Sequence, residues 1–251
     1  LFNANDGGVW INDDAGAGVK WKPVSDGLAS TENYHAGQSP IKKDRMGAGT
    51  QDNGELYYDA GGWYTNRGGD YTATYAFDYQ NSNMFYYPSS NSRRVGVTGG
   101  SQNLNFPFTT DKNTLMEFTL LKKNTAFAAS SDVWKTDNLS SNPPSWTKIS
   151  SINESIKAIC SSPSDANVVY VVTSSGKVFR SDNALGTSAS FNQVSTAPAS
   201  TTSKASIAVI KATPNIVYMS CGSKVYRSPD KGVTWTLTST GLPATYFNKM
   251  Y

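Results

Sequence analysis

The chain has 251 residues, of which 38% are hydrophobic and only 16% charged, with a formal net charge of +3. That length supports one large all-β domain or two ordinary ones, with a sizeable core. The 22 basic residues are scattered and their densest block, Ile41-Lys42-Lys43-Asp44-Arg45, is interrupted by an acid, which excludes a nucleic-acid footprint. No apolar run approaches the ~20 residues of a membrane span, so membrane insertion is not expected.

Gly, Ser, Thr, Asn and Tyr are abundant and charges few, a composition typical of turn-rich β proteins outside the cell. A secreted or cell-surface location is the expectation. The sequence opens on Leu1-Phe2-Asn3 and closes at Tyr251, both in strand-like pattern, which reads as a mature or excerpted segment. A single histidine, His35, excludes a zinc site built on several histidines and reads as a structural residue.

In chain order, strands are expected first near Leu1–Ala4, Val9–Asn12 and Lys20–Val24. A unit from 31 to 70 follows, with strands near Met46–Thr50, Leu56–Asp59 and Trp63–Thr65. The next, from 71 to 110, has strands near Tyr75–Tyr79, Met84–Tyr87 and Arg94–Thr98. From Leu115 onward the pattern sharpens. Asp132-Val133-Trp134-Lys135-Thr136 leads to Trp146-Thr147-Lys148-Ile149. Lys177-Val178-Phe179-Arg180-Ser181 leads to Phe191-Asn192-Gln193-Val194, and Lys224-Val225-Tyr226-Arg227-Ser228 leads to Trp235-Thr236-Leu237-Thr238. Gly8-Val9-Trp10-Ile11 leading to Trp21-Lys22-Pro23-Val24 is the same hairpin again. Val178 lies 45 positions after Val133, and Val225 lies 47 after Val178. Two more strand-like runs precede each of the last two hairpins, Ile156–Cys160 with Val168–Val172, and Ile207–Ile210 with Ile216–Met219.

Four strands (a, b, c, d) every 40–50 residues is the period of a β-propeller blade. The chain is therefore read as an all-β, single-domain propeller of four-stranded antiparallel blades. The expected blades are 31–70, 71–110, 111–151, 152–200 and 201–244, and a sixth is split between 1–30 and 245–251. A ring sharing one blade between its termini hides its edges. The rival expectation is an excerpt of a larger propeller. Cys160 and Cys221 fall toward opposite ends of antiparallel strands and are expected as free thiols.

Ser228-Pro229-Asp230-Lys231-Gly232-Val233-Thr234-Trp235 matches the Asp-box (BNR) signature in full. Degenerate copies are Asn12–Gly16 with Trp21, Thr136-Asp137-Asn138 with Trp146, and Ser181-Asp182-Asn183 with Phe191. With Gly49–Gly54 and Gly68-Gly69-Asp70, the chain resembles Asp-box propellers of the secreted bacterial sortilin/Vps10-like and glycoside-hydrolase-74-like group. The resemblance implies that Ser228, Asp230, Gly232, Thr234 and Trp235 form a structural turn at the blade periphery. It carries little about function, because such turns occur on hydrolases, receptors and adhesins alike.

Propeller ligands usually meet the face built from b–c and d–a loops, opposite the c–d turns. Asp6, Asp52, Asp70 and Asp132 are expected there, with Asn53 beside Asp52. Such carboxylates can brace turns, ligate calcium, or act as acid and base on a glycosidic bond. Of the dense aromatics from Tyr57 to Tyr87, most are expected in the core, with Trp63 and Tyr64 beside Gly61-Gly62 as the exposed pair. The sialidase reading fails: there are six arginines, two of them in matching c-strand positions, and no Arg-Ile-Pro opening.

The expected function is an extracellular binding or scaffold module. Its partner would be a glycan or a cell-surface protein, and further domains of the same polypeptide are also candidates. The expected ligand contacts are Asp6, Asp52, Asn53, Trp63, Tyr64 and Asp70. No cofactor is required, although calcium is a candidate ion. The alternative is a glycoside hydrolase with Asp52 and Asp70 as its carboxylates. Asn138-Leu139-Ser140 and Asn153-Glu154-Ser155 are glycosylation sequons if the source is eukaryotic.

Overall fold

A computed structural model describes residues 2–5, 8–11, 22–24, 33–51, 53–67, 76–96, 99–111, 114–199, 201 and 205–242. The chain is all-β, built of propeller-type blades in which consecutive strands pair antiparallel. It divides into two compact units, Leu1–Ser101 and Gln102–Tyr251.

In the first unit, β1 (Phe2–Asn5), β2 (Gly8–Ile11) and β3 (Lys22–Pro23) form a three-stranded sheet. The second sheet takes β4 (Asn33–Gln38), β5 (Met46–Thr50), β6 (Glu55–Asp59) and β7 (Gly62–Arg67) in order. The third takes β8 (Ala76–Phe77), β9 (Met84–Tyr87), β10 (Ser92–Val95) and β11 (Ser101–Asn103), and the boundary between the units falls within β11. Tyr57, Phe77, Phe85 and Tyr87 make one buried cluster here, with Tyr57 edge-on to Phe85 at 5.1 Å between ring centroids. Trp63 and Tyr64 stay out of it, at 57% and 50% exposure.

The second unit carries three regular sheets. The first runs β12 (Leu115–Phe118), β13 (Ala126–Ala129), β14 (Val133–Thr136) and β15 (Thr147–Lys148). The next runs β16 (Ile156–Ser161), β17 (Val169–Thr173), β18 (Lys177–Ser181) and β19 (Asn192–Thr196). The last runs β20 (Ala205–Val209), β21 (Val217–Cys221), β22 (Lys224–Ser228) and β23 (Thr236–Leu237). Strand β17 is buried along its whole length, and its run of β-branched residues and Tyr170 fills both faces, as a central strand packed on two sides requires. Strand β16 lies against both β12 and β20, so the a strands of successive sheets neighbour one another. Ser161 joins two of them, its N–H donating to Glu117 Oε1 at 3.0 Å and its hydroxyl to the Phe118 carbonyl at 2.8 Å.

Five four-stranded blades are complete among the described residues, not the six expected. The three N-terminal strands occur where the pattern placed them, but the strand expected at 245–251 to complete that blade lies outside the described residues. Both cysteines are free, and both border the same apolar cluster.

Candidate functional site

The c–d turns set the frame. In the Ser228–Trp235 turn, the Ser228 hydroxyl donates to Asp230 Oδ1 at 2.8 Å and accepts from the N–H groups of Asp230 (3.3 Å) and Gly232 (2.8 Å). Asp230 in turn accepts from the Thr234 N–H at 2.8 Å and the Thr234 hydroxyl at 2.6 Å. Lys231 and Gly232 have φ of 62° and 86°, and the left-handed backbone at 232 favours glycine, although a Cβ there would meet Tyr170 and Trp235 only at ordinary contact distance. Thr234 and Ser228 hold the Asp230 carboxyl at a pKa of about 2. The Trp235 indole N–H reaches Ser195 Oγ at 3.0 Å, and that hydroxyl donates to the Gly232 carbonyl.

The same network recurs with asparagine as the acceptor. Asn138 Oδ1 accepts from the Ser145 N–H at 2.9 Å and from Thr136 Oγ1 at 2.9 Å. Asn183 Oδ1 accepts from the Ser190 N–H at 2.9 Å and from Ser181 Oγ at 3.2 Å. Asn138 and Asn183, not Asp137 and Asp182, are therefore the counterparts of Asp230. Each c–d turn also donates a backbone N–H to an asparagine carbonyl of its own blade's a–b turn: Leu139 to Asn124 at 2.9 Å, Ala184 to Asn167 at 3.0 Å, Lys231 to Asn215 at 2.8 Å. The two turn types thus share one end of each blade.

The b–c turns and d–a loops share the other end. Asp132, at the β13–β14 turn, is 4% exposed. It accepts from Ser150 Oγ at 2.9 Å, from the N–H groups of Ile152 (2.6 Å) and Asn153 (3.2 Å), and pairs with Lys148 at 2.6 Å. Burial works against its ionisation, but the Lys148, Asn153, Ser150 and Ile152 bonds outweigh it and hold its pKa below the ordinary carboxylate value. One loop on, Glu154 accepts from the Ser175 N–H at 2.9 Å and pairs with Lys177 at 3.0 Å. The bond to Ser175 and then the ammonium of Lys177, against a cost of burial, hold its pKa at about 2. Asp132, expected on the ligand-facing loops, is thus a buried brace of its turn.

Of the other expected ligand residues, Asp6, Asp52 and Asp70 lie outside the described residues. Asn53 is half-buried, and both its N–H (2.6 Å) and its Nδ2 (3.1 Å) reach the Gln51 carbonyl. Trp63 and Tyr64 sit at the start of β7, directly after the Ala60–Gly61 turn, whose φ values are 50° and 85°. That two-residue left-handed turn suits the right-handed twist of a tight hairpin, and it stands where the other unit has its eight-residue turn. Trp63 is opposite Tyr58 in the ladder with ring centroids 5.3 Å apart, and Tyr64 is opposite Tyr57 at 6.3 Å. Successive strand residues point to opposite faces, so each face of this hairpin carries an aromatic pair.

A cluster under that hairpin had no signal in the residue pattern. Asp59 pairs with Arg45 at 2.6 Å and with Lys42, and it accepts from Tyr57 Oη at 3.1 Å. The Arg45 guanidinium also donates to the Ser82 carbonyl and to Asn83 Oδ1 at 2.6 Å, tying two blades of the first unit together. The Arg45 bond, against burial and aided by Lys42, holds the Asp59 carboxyl well below the usual range. Among the described residues, no group of three or more His, Cys, Asp or Glu is placed to hold a metal ion, and no helix is long and apolar enough to cross a membrane.

No protein-family model matches the chain, and no curated protein sequence matches it. Among solved structures it is similar in fold to the Niastella koreensis GH74 enzyme, with a TM-score of 0.47 and 13% identity over 96% of this chain and 48% of that one. The chain thus spans about half the length of that enzyme.

Proposed function

We propose that the chain is an extracellular, Asp-box-type propeller module that binds a glycan. The observation that carries this reading is Trp63 and, on the opposite face of the same strand, Tyr64, large aromatics 57% and 50% exposed on a hairpin whose other aromatics, Tyr57 and Tyr58, are buried and half-buried. Tyr57 and Tyr58 back the two rings and the Ala60–Gly61 turn holds them in place, so the apolar faces are presented to solvent in a fixed geometry. Such faces stack on the C–H face of sugar rings, burying apolar area without needing a charge. The hydrogen bonding of the Ser228–Trp235 turn, with its Asn138 and Asn183 counterparts, supports grouping the chain with Asp-box propellers. The low-charge, hydroxyl-rich composition supports the extracellular placement. Calcium on the loops of Asp6, Asp52 and Asp70 is the ion to test, by melting the protein in calcium and in chelator.

A glycan array followed by titration of the best polysaccharide tests the reading. Trp63→Ala should weaken binding about tenfold, roughly 1.4 kcal/mol, with the melting temperature unchanged. Undiminished binding by Trp63→Ala and by Tyr64→Ala removes both exposed rings from the site. Release of reducing ends, abolished by Asp52→Asn or Asp70→Asn, replaces the binding module with a glycoside hydrolase.

A further inference from the structure

The three regular blades of the second unit are joined by aromatics that open the d strands, and the two junctions between them differ. At the junction of the β16–β19 and β20–β23 sheets, the Trp235 indole donates to Ser195 Oγ at 3.0 Å, and its ring lies near Tyr170 and Val194 around Gly232. There the Arg180 guanidinium, opposite Tyr170 in the ladder, lies over that ring at 5.6 Å. At the junction of the β12–β15 and β16–β19 sheets, the corresponding aromatic is Phe191, which is smaller and has no N–H. The corresponding cation is Lys135, opposite Phe127. The corresponding hydroxyl, Ser150 Oγ, turns away from the junction, donating to Asp132 at 2.9 Å and accepting from the Val133 N–H at 2.8 Å. An open groove of about 760 Å³ remains, walled by β15 and its continuation on one side and by the 186–191 turn on the other.

Its chemistry is selective. Phe191, Ile149 and Ala189 form an apolar wall, and Thr147, Ser151 and Thr187 line it with hydroxyls. Lys135 is 8% exposed, and its ammonium bridges the blades, donating to the Leu185 carbonyl at 2.9 Å and pairing with Asp137 at 3.0 Å. An ammonium has three N–H groups, so one is left for a ligand oxygen in the groove. The other lining lysine, Lys148, is paired with Asp132 at 2.6 Å. Each lining cation thus already holds a carboxylate, Asp137 being shared between Lys135 and, at 2.8 Å, Lys122, and the Asp137 carboxylate faces the groove as well. A carboxylate or phosphate ligand would meet that carboxylate, and a cationic one would meet Lys135 and Lys148. A neutral, polyhydroxylated ligand needs none of these ion pairs broken. The volume lies within the roughly 300–1,000 Å³ of small-molecule sites.

We propose that this inter-blade groove is a binding site for a short neutral oligosaccharide, with one sugar ring against Phe191 and its hydroxyls on Lys135, Thr147 and Thr187. The site shares no residue with the exposed aromatics of β7 and does not depend on them.

The test is amide NMR of the ¹⁵N-labelled chain titrated separately with cellohexaose, xylohexaose and mannohexaose, with oligogalacturonate as an anionic control. At least one neutral oligosaccharide should shift the amides of 147–151 and 186–191. Thr187→Trp, which fills the groove from an exposed position, should weaken that response at least tenfold, while Trp63→Ala leaves it unchanged. If Thr187→Trp does not fold, Ser151→Trp blocks the groove from the opposite wall. The proposal is overturned by millimolar neutral sugar leaving these amides unmoved, by shifts that survive both blocking variants, or by tighter binding of oligogalacturonate. Shifts confined to the β7 strand would overturn the groove while sustaining the role of Trp63 and Tyr64, and shifts confined to the groove would do the reverse.

Discussion

Replacing Ser228 with alanine separates the scaffold role of its turn from any chemical one. Ser228 is fully buried, and its Oγ is the acceptor for the Asp230 and Gly232 N–H groups as well as the donor to Asp230 Oδ1. Alanine removes all three bonds and strands the buried Gly232 N–H. At about 1 kcal/mol for a lost bond and 1–3 for a stranded buried donor, the cost is roughly 2–3 kcal/mol. For a chain of this length that is a fall of about 5–10 °C in melting temperature. Asp230→Asn is the informative partner, because Asn138 and Asn183 already perform the same task in the two neighbouring blades. An amide oxygen still accepts from the Thr234 N–H, so this variant should melt close to the parent. Thermal denaturation followed by circular dichroism measures both. If Asp230→Asn destabilises as much as Ser228→Ala, the acceptor-based account of the turn is wrong. If it melts normally but loses ligand binding, the turn is part of a site and not only a scaffold.

Two further outcomes follow from the ionisable groups. Glu154 has a folded pKa of about 2 against an ordinary 4.5, so its contribution to stability is present above pH 4.5 and is lost as pH falls toward 2. Melting temperature should therefore drop through that window, more steeply in the parent than in Glu154→Gln, and parallel curves would contradict the assignment. Cys221 is 2% exposed, and burial pushes its thiol up to about 11, whereas Cys160 is half-buried. A thiol reagent at neutral pH should label Cys160 first and Cys221 only on unfolding; equal native labelling rates, or a bond on a non-reducing mass measurement, would refute this.

The second unit was readable because its signals are local. A strand that alternates around an aromatic, a Ser/Thr two positions before Asp or Asn, and a hydroxyl residue closing the turn all fall within one hairpin. Its strands therefore lie close to where the repeat put them. The first unit hid its turns. The Ala60–Gly61 turn does with two left-handed residues what Ser228–Trp235 does with a side-chain network, and nothing in Ala60 announces a φ of 50°. Asp132 stayed open between turn brace, calcium ligand and catalytic carboxylate for a different reason. Its partners Lys148, Ser150, Ile152 and Asn153 lie on the far side of the hairpin, so the sequence shows an acid in a loop and not the four bonds that occupy it. The groove was equally hidden. Phe191 was visible as the aromatic of its repeat, but its lack of an indole N–H matters only once the neighbouring Ser150 is seen to turn toward Asp132.

The same bonds bear on catalysis. A glycosidase needs one carboxyl that stays protonated near neutral pH to donate to the leaving oxygen, which calls for a raised pKa. The environments seen here push the other way. Arg45 and Lys42 on Asp59, Lys148 and two backbone N–H groups on Asp132, Lys122 and Lys135 on Asp137, Ser175 and Lys177 on Glu154, and Thr234 on Asp230 each favour the ionised form, against whatever burial opposes it. None of these five carboxylates has the raised pKa that a general acid calls for, and each is occupied in holding a turn or a blade junction. Any hydrolytic activity found in this chain must draw its acid from elsewhere, with Asp52 and Asp70 the first to replace. A binding site, by contrast, asks only for surfaces that the scaffold leaves unused, which Trp63, Tyr64, Thr147 and Thr187 supply.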